Sequence, residues 1–146
     1  MIKYKQGDLL DVTEGVILHG CNAQGVMGSG VALSIKHKYP TAFELYKTFE
    51  RLQGLKTGMI IPVKVSSTLH VVSLITQTYY GRDPTIRYVS YTAIRVCFEK
   101  LHKLFLTEIP FHFPKIGAGL ANGDWQVIQE IITETCPKRD LVCWII

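Results

Sequence analysis

The chain has 146 residues, of which 47% are hydrophobic and 19% are charged, and its formal net charge at pH 7 is +4. This composition predicts one folded domain over residues 1–146 with a sizeable core, and it excludes a low-complexity or disordered protein. No window approaches the roughly 18 consecutive apolar residues of a membrane span, and the start MIKYKQGD lacks the features of a secretion signal. We therefore expect a cytoplasmic protein with no membrane partner.

Strands and helices alternate along the first two thirds of the chain. A strand is predicted in IKYKQGDLL and a second, short and apolar, in GVILHG. Helices are predicted over Gly30–Lys38 and Thr41–Leu52, with Pro40 between them. Two more strands follow, in GMIIPVKV and LHVVSLIT. After the loop YYGRDP, apolar residues at near-helical spacing predict a helix over Tyr88–Phe105.

The last third continues the alternation. IPFHFPKI and the apolar LVCWII are predicted strands, and Trp125–Thr135 is a predicted helix. Interleaved elements of this kind indicate an α/β fold, with three α/β/α layers and a mixed, largely parallel central sheet. Ligands of such sheets bind beyond the carboxyl ends of the strands. The segments HGCNAQGVMGSG, TQTYYGRD and IGAGLANGD each follow a predicted strand, so we expect them to gather at that edge.

Glycine is concentrated in two of these segments. Four glycines lie within eleven residues between a strand and a helix: Gly20, Gly25, Gly28 and Gly30. Gly117, Gly119 and Gly123 form a second group after a later strand. Glycine suits a backbone that takes a positive φ or approaches a ligand closely, and phosphate is the common ligand of a strand-to-helix junction. The two loops could hold one diphosphate from opposite sides, or they could serve tight turns alone.

The charged residues and the cysteines indicate no other class of site. Neither the dinucleotide fingerprint GxGxxG nor a P-loop is present. The basic residues form no dense stripe with aromatics, so nucleic acid is not an expected partner. The four cysteines are Cys21, Cys97, Cys136 and Cys143, and they show neither a CxxC pair nor histidines at zinc spacing. We expect buried free thiols, no metal and no cofactor.

Three segments of the chain resemble macro domains, a family that binds ADP-ribose. QGDLL resembles the first-strand motif of the family, LHGCNAQGVMGSGVA its second strand with the first phosphate loop, and FPKIGAGLANGDW its second loop. The form HGCN...GVMGSGVA and the short length are most similar to a compact branch of the family. That branch includes the yeast-type ADP-ribose 1''-phosphate phosphatase, the terminal ADP-ribose glutamate hydrolase and the antitoxins that reverse DNA ADP-ribosylation.

The resemblance implies a ligand-binding set. Asp8 would accept a hydrogen bond from the adenine amino group, and Trp144 would stack on adenine. Residues 25–31 would hold the second phosphate and the distal ribose, and residues 117–121 the other side of the diphosphate. The implied residues are Asp8, Leu9, Gly25, Val26, Met27, Gly28, Ser29, Gly30, Val31, Thr76, Gln77, Ile116, Gly117, Ala118, Gly119, Leu120 and Trp144. A turn cap for Asp8 and a core position for Trp144 are the structural alternatives.

Three residues are candidates for chemistry. Asn22 matches an asparagine that contacts the distal ribose in relatives, and its amide can donate and accept hydrogen bonds. His19 stands where the phosphatase-like relative also has histidine, and such a group could donate a proton or activate water. Asp124 could orient water. The alternatives are a turn role for Asn22, a core role for His19 and a helix cap for Asp124.

Two departures from the family pattern bear on activity. The glutamate hydrolase and the antitoxin have a lysine where this chain has Gln77, and an aspartate of the hydrolase falls at about Ala121. The resemblance therefore implies an ADP-ribose 1''-phosphate phosphatase, which releases ADP-ribose and phosphate. An ADP-ribosyl hydrolase acting on modified protein or nucleic acid, and a reader that binds ADP-ribose without turnover, are the alternatives. The expected partner is ADP-ribose or a derivative, and we expect a monomer.

Overall fold

The computed structural model describes residues 1–146. Its strands are β1 Ile2–Gln6, β2 Gly15–Asn22, β3 Ile60–Lys64, β4 Leu69–Gln77, β5 Phe111–Phe113 and β6 Leu141–Ile145. Its α-helices are α1 Gly30–Lys38, α2 Pro40–Gln53, α3 Tyr91–Leu104 and α4 Trp125–Thr135. Each of these elements was predicted from periodicity, whereas one turn of 3₁₀ helix at Leu9–Asp11 was not.

The strands form one six-stranded sheet in the order β1-β6-β5-β2-β4-β3. Every neighbouring pair is parallel except β3 with β4, which is antiparallel at the edge of the sheet. This topology confirms the mixed, largely parallel sheet. The carboxyl ends of five strands therefore point to the same edge, where the loops that follow β1, β2, β4, β5 and β6 meet.

Helices cover both faces of the sheet and create two separate layers of core. Val16 and Leu18 of β2 pack with the buried residues of α3 and α4, whereas Ile17 packs with those of α1 and α2. Neighbouring side chains of a strand point to opposite faces, so β2 is buried on both sides and reads as a continuous apolar run. The three-layer α/β/α arrangement is thus confirmed.

The start of α3 differs from the prediction of a helix from Tyr88. Ser90 caps the helix, because its hydroxyl accepts a hydrogen bond from the Ala93 N–H at 3.1 Å. Val89 is buried and forms an isolated bridge with Gln77. Both Tyr88 and Val89 donate their N–H groups to the Ala121 carbonyl. These two residues therefore pair with the carboxyl edge of the sheet instead of extending the helix.

The four cysteines are free and buried, as expected, with Cys143 on β6 and Cys136 after α4. Burial raises the pKa of the Cys21 thiol to about 12 and that of Cys136 to about 11. They remain neutral thiols at physiological pH.

None of the helices combines the length and the apolar character that crossing a membrane requires.

A buried arginine organises the turn between α3 and β5. Arg139 is only 4% exposed, and its guanidinium donates hydrogen bonds to four backbone carbonyls. Those carbonyls belong to His102, Phe105, Leu106 and Ile109. A buried carbonyl without a partner costs about 1–3 kcal/mol, so this one side chain secures the backbone of the whole turn.

We predict that Arg139→Met lowers the free energy of unfolding by about 2–4 kcal/mol, because the buried Phe105 carbonyl and three part-buried carbonyls lose their donor. Arg95→Met is the matched control, since Arg95 forms an exposed ion pair with Glu134 at 2.8 Å. The control should change stability by less than about 1 kcal/mol. Urea unfolding followed by circular dichroism measures both, and equal losses would contradict the assignment.

Candidate ligand cleft at the carboxyl edge of the sheet

Two cavities lie side by side where the parallel strands end. The loop cavity has a volume of about 550 Å³. Its lining consists of Gly20, Cys21, Asn22, Val26, Gly28, Ser29, Ala32, Gln77, Tyr80, Gly81, Arg82 and Leu120. The tryptophan cavity has a volume of about 450 Å³. Its lining consists of Asp8, Leu9, Leu10, Gly30, Val31, Ser34, Pro114, Trp144 and Ile146.

The first glycine loop, residues 23–29, joins the two cavities. Gly28 and Ser29 line the loop cavity, and Gly30 and Val31, which follow at once, line the tryptophan cavity. Gly30 has φ +59 and begins α1. The first N–H groups of a helix have no partner within it and carry a partial positive charge. The start of α1, directly after this loop, therefore offers N–H groups without a helical partner where the two linings meet.

The Asn22 side chain holds the first glycine loop in place. Its Oδ1 accepts hydrogen bonds from the N–H groups of Gln24 at 3.0 Å and Val26 at 3.4 Å, while its Nδ2 donates to the Val26 carbonyl at 2.9 Å. The Tyr46 hydroxyl of α2 donates to Oδ1 at 3.0 Å and also contacts the Asn22 carbonyl. Asn22 thus shapes the loop and lines the loop cavity at the same time.

The second glycine loop, residues 117–123, packs against Val89 and α4. Gly117 has φ +76, and the Gly123 N–H donates to its carbonyl at 2.7 Å. A Cβ on either glycine would lie 2.7 Å from the Val89 side chain, so neither position admits a larger residue without rearrangement. Gly119 differs, because nothing lies within 4 Å of its added Cβ. The tip of this loop faces open space.

Trp144 forms one wall of the tryptophan cavity, and several contacts fix its ring. Its Nε1 donates to His112 Nδ1 at 2.9 Å, and Lys5 Nζ lies 5.7 Å from the ring centroid. A Cβ on Gly7, which has φ +145, would lie 3.1 Å from the ring. Burial and the nearby Lys5 charge lower the pKa of His112, so Nδ1 remains a hydrogen-bond acceptor at neutral pH.

Asp8 also lines the tryptophan cavity, and it serves as the turn cap that was the structural alternative. Its Oδ1 accepts a hydrogen bond from the Leu10 N–H at 2.9 Å and so caps the 3₁₀ turn. A carboxylate has a second oxygen, and that oxygen stays available for a ligand. The Leu10 carbonyl in turn accepts a hydrogen bond from Lys38 of α1.

His19 does not reach the cleft. It is 1% exposed, its Nε2 lies 3.0 Å from Ser73 Oγ, and its Nδ1 lies 3.5 Å from Cys21 Sγ. Burial lowers its pKa to about 4, so the ring is neutral at pH 7. This placement argues against the predicted role in proton transfer, because an acid or base must reach the reacting group directly or through one water. The structure fits the alternative role of His19, that of a buried core residue.

Asp124 likewise serves the fold. Its carboxylate accepts a hydrogen bond from the Gln126 N–H at 2.9 Å and caps α4, and its own N–H donates to the Tyr91 hydroxyl. It lines neither cavity. The capping alternative accounts for its position, so we do not retain Asp124 as a group that orients water.

Some of the predicted site residues line one of the two cavities, and the others line neither. Those that line a cavity are Asp8, Leu9, Asn22, Val26, Gly28, Ser29, Gly30, Val31, Gln77, Leu120 and Trp144. Those that line neither are Gly25, Met27, Thr76, Ile116, Gly117, Ala118 and Gly119. Met27 is 2% exposed and Ile116 is 3% exposed, so these side chains act as core. Thr76 Oγ1 is buried without a hydrogen-bond partner.

The main omission of the prediction is the loop after β4. Tyr80, Gly81 and Arg82 line the loop cavity, yet none of them was among the predicted site residues. The available signal was the position of TQTYYGRD directly after a predicted strand. That position predicted proximity to the edge, but only the folded loop shows which side chains reach the cavity.

The amino-acid sequence is similar to a family model and to proteins of known name. The family model "Macro domain" matches residues 18–132. An ADP-ribose 1''-phosphate phosphatase of Scheffersomyces stipitis is 26% identical, over 90% of this chain and 93% of its own length. A DNA ADP-ribosyl glycohydrolase of Mycobacterium bovis is 24% identical over 89% of this chain, which covers only 37% of that protein.

A solved structure gives the same picture of the fold. The macrodomain of Mycobacterium tuberculosis DarG superimposes with a TM-score of 0.81 at 22% identity, covering 99% of this chain and 97% of that one. The likeness extends over the whole sheet and all of the helices described above. On the strength of the family model and this shared architecture, the chain belongs to the macro domain family.

Proposed function

We propose that the cleft binds ADP-ribose and that the protein hydrolyses ADP-ribose 1''-phosphate to ADP-ribose and inorganic phosphate, with residues 1–146 acting as one macro domain. The observation that carries the proposal is the pair of cavities joined by one glycine loop. One cavity has an aromatic wall at Trp144, and the lining of the other includes glycines, the amides of Asn22 and Gln77, and the charged Arg82. An adenosine and a phosphorylated ribose match these two environments.

The diphosphate would lie against the first glycine loop. Gly28 lines the loop cavity with no Cβ, and Gly30 leaves the tryptophan cavity open, since nothing lies within 4 Å of its added Cβ. N–H donors at the start of α1 stabilise a phosphate charge without any side chain. The cavity lining contains no carboxylate on this side that would repel the ligand.

The adenine ring would occupy the tryptophan cavity. Trp144 offers a face for stacking, and the free oxygen of Asp8 can accept a hydrogen bond from the exocyclic amino group. The ring of Trp144 is already oriented by His112, so little side-chain entropy is lost when the ligand binds.

The reaction would rest on positioning and on hydrogen bonds to the developing charge. Asn22 has one Nδ2 hydrogen beyond its bond to Val26, and this hydrogen can reach a ribose hydroxyl. Gln77 lines the same cavity, and its amide can bond to a substrate oxygen. In this proposal His19 supports the cavity floor through Cys21 and Ser73 rather than transferring a proton.

A second candidate function is removal of ADP-ribose from a larger acceptor. Its support is the open mouth of the loop cavity, where Tyr80 is 55% exposed and Leu120 is 50% exposed. Such a mouth leaves room for a modified protein or nucleic acid. Its weakness is Gln77, which stands where the resemblance to the hydrolase and antitoxin implies a lysine.

We expect the purified protein to release phosphate from ADP-ribose 1''-phosphate and to leave ADP-ribosylated protein and DNA unchanged. Mass spectrometry of the three incubations measures each product. Removal of ADP-ribose from either macromolecule would favour the second candidate. Binding of all ligands without any product would make the protein a reader of ADP-ribose and contradict the proposed activity.

We predict that Gly28→Glu abolishes ADP-ribose binding, because the new carboxylate would occupy the diphosphate position and repel it. Gly28 does not have a positive φ, so the substitution avoids backbone strain. Gln53→Glu, at the exposed end of α2, adds the same side chain away from the cleft and should bind as the wild type does. Calorimetric titration measures both. Unchanged affinity in a folded Gly28→Glu protein would show that this loop does not hold the ligand.

We predict that Trp144→Leu weakens ADP-ribose binding by about 1–3 kcal/mol, the usual contribution of stacking on a base. Trp125→Leu is the matched control, since Trp125 packs on the opposite face of the sheet and its Nε1 donates to the Tyr4 hydroxyl. Titration with ribose 5-phosphate, which lacks adenine, should show no difference between Trp144→Leu and the wild type. Equal losses of ADP-ribose affinity in Trp144→Leu and Trp125→Leu would show that Trp144 is a structural residue and does not stack on adenine.

A further inference from the structure

Arg82 is the only charged side chain in the lining of the loop cavity. It lies with Gln77, Tyr80 and Gly81 on the wall formed by the end of β4 and the loop after it. This wall adjoins the start of the first glycine loop, where the Ala23 N–H donates to the Gln77 carbonyl at 3.0 Å. None of the ion pairs of the structure involves it. Arg82 is thus an exposed arginine without an ion-pair partner, and it lines the cavity beside neutral amides and backbone.

The neighbouring carboxylate leaves Arg82 free. Asp83 Oδ1 accepts hydrogen bonds from the Thr85 N–H at 2.9 Å and from the Thr85 hydroxyl at 2.7 Å. These bonds lower the pKa of Asp83 and engage one of its oxygens in a turn of its own. Asp83 forms no ion pair with Arg82, although the two residues are adjacent in the chain.

Hydrogen bonds at Asp83 and Ile86 hold the loop that carries Arg82. Asn122 of the second glycine loop donates Nδ2 hydrogen bonds to the carbonyls of Asp83 at 2.9 Å and Ile86 at 2.7 Å. The Asp83 N–H donates to the Tyr88 hydroxyl at 3.3 Å. A Cβ on Gly81 would collide with that same hydroxyl, so glycine lets the chain pass close to Tyr88. The backbone that follows Arg82 is thus held by hydrogen bonds before any ligand arrives.

We propose that Arg82 forms a subsite for a phosphate monoester on the distal ribose of the ligand, and so sets a preference for ADP-ribose 1''-phosphate over ADP-ribose. This inference rests on the proposed function and adds the residue that recognises the scissile group. In the same proposal, the backbone N–H groups of the first glycine loop and of the start of α1 serve the diphosphate. A guanidinium is suited to a terminal phosphate, because its fork can donate two parallel hydrogen bonds to a dianion.

The test compares two ligands that differ only in the terminal group. One is ADP-ribose, and the other is a 1''-phosphonate analogue of ADP-ribose 1''-phosphate, in which a methylene bridge replaces the scissile oxygen and prevents turnover. Titration calorimetry is carried out on the wild type, Arg82→Gln and Arg82→Lys. Arg87→Gln is the matched control, since Arg87 is in the same loop, carries the same charge, and stacks on Tyr91 at 4.0 Å instead of lining the cavity.

We expect the wild type to bind the phosphonate at least about tenfold more tightly than ADP-ribose. Arg82→Gln should lose this preference and keep its affinity for ADP-ribose within about twofold, whereas Arg87→Gln should keep both. Arg82→Lys should retain part of the preference as a point charge. The preference of the wild type should also shrink as salt is raised.

Two results would overturn the inference while the proposed function stands. If Arg82→Gln weakens both ligands equally, Arg82 binds the diphosphate rather than the terminal group. If it changes neither, or if Arg87→Gln removes the preference as well, Arg82 has no specific role. Failure of the proposed function looks different, since the wild type itself would then bind neither ligand or would leave ADP-ribose 1''-phosphate intact. Failure of the wild type to bind either ligand would overturn both.

Discussion

The cleft depends on one amide, that of Asn22 at the last position of β2. Its oxygen holds two N–H groups of the first glycine loop and the hydroxyl of Tyr46, and its nitrogen holds the Val26 carbonyl. Through these bonds the end of a central strand, the loop and helix α2 become one unit. The bonds fix the backbone at Gln24 and Val26, and this segment leads into α1.

This construction explains why so few charged side chains line the cavities. A binding site made of backbone N–H groups needs a chain that is held rigidly and glycine where the ligand must approach. The only charged side chains in the two linings are Asp8 in one cavity and Arg82 in the other, and we propose a specific ligand group for each. The neutral, buried His19 fits the same logic, since it stiffens the strand behind the cavity and adds no charge.

The sequence predicted the fold and the location of the cleft because both depend on patterns within short segments of the chain. Apolar periodicity defined each strand and helix, and glycine spacing identified the two loops. The role of His19 was harder to predict. Leu18 and Cys21 on the same strand are also buried, and strand periodicity does not show whether a buried side chain packs in the core or faces a cavity. Arg82 was missed for another reason. Its position depends on Asn122, which contacts Asp83 and Ile86 across 39 and 36 residues of chain. Such distant contacts leave no pattern in a single sequence.

We propose that backbone N–H groups of the first glycine loop and of the start of α1 bind the diphosphate, with Leu120 of the second glycine loop at the same cavity. The most direct measurement is a titration of the ¹⁵N-labelled protein with ADP-ribose, followed through its amide resonances. We predict saturable shifts at residues 25–31 and 117–121, with the resonances of β3 and of residues 66–68 at the opposite edge unchanged. Binding that leaves both glycine loops unshifted, or that shifts only residues outside the cleft, would contradict this account.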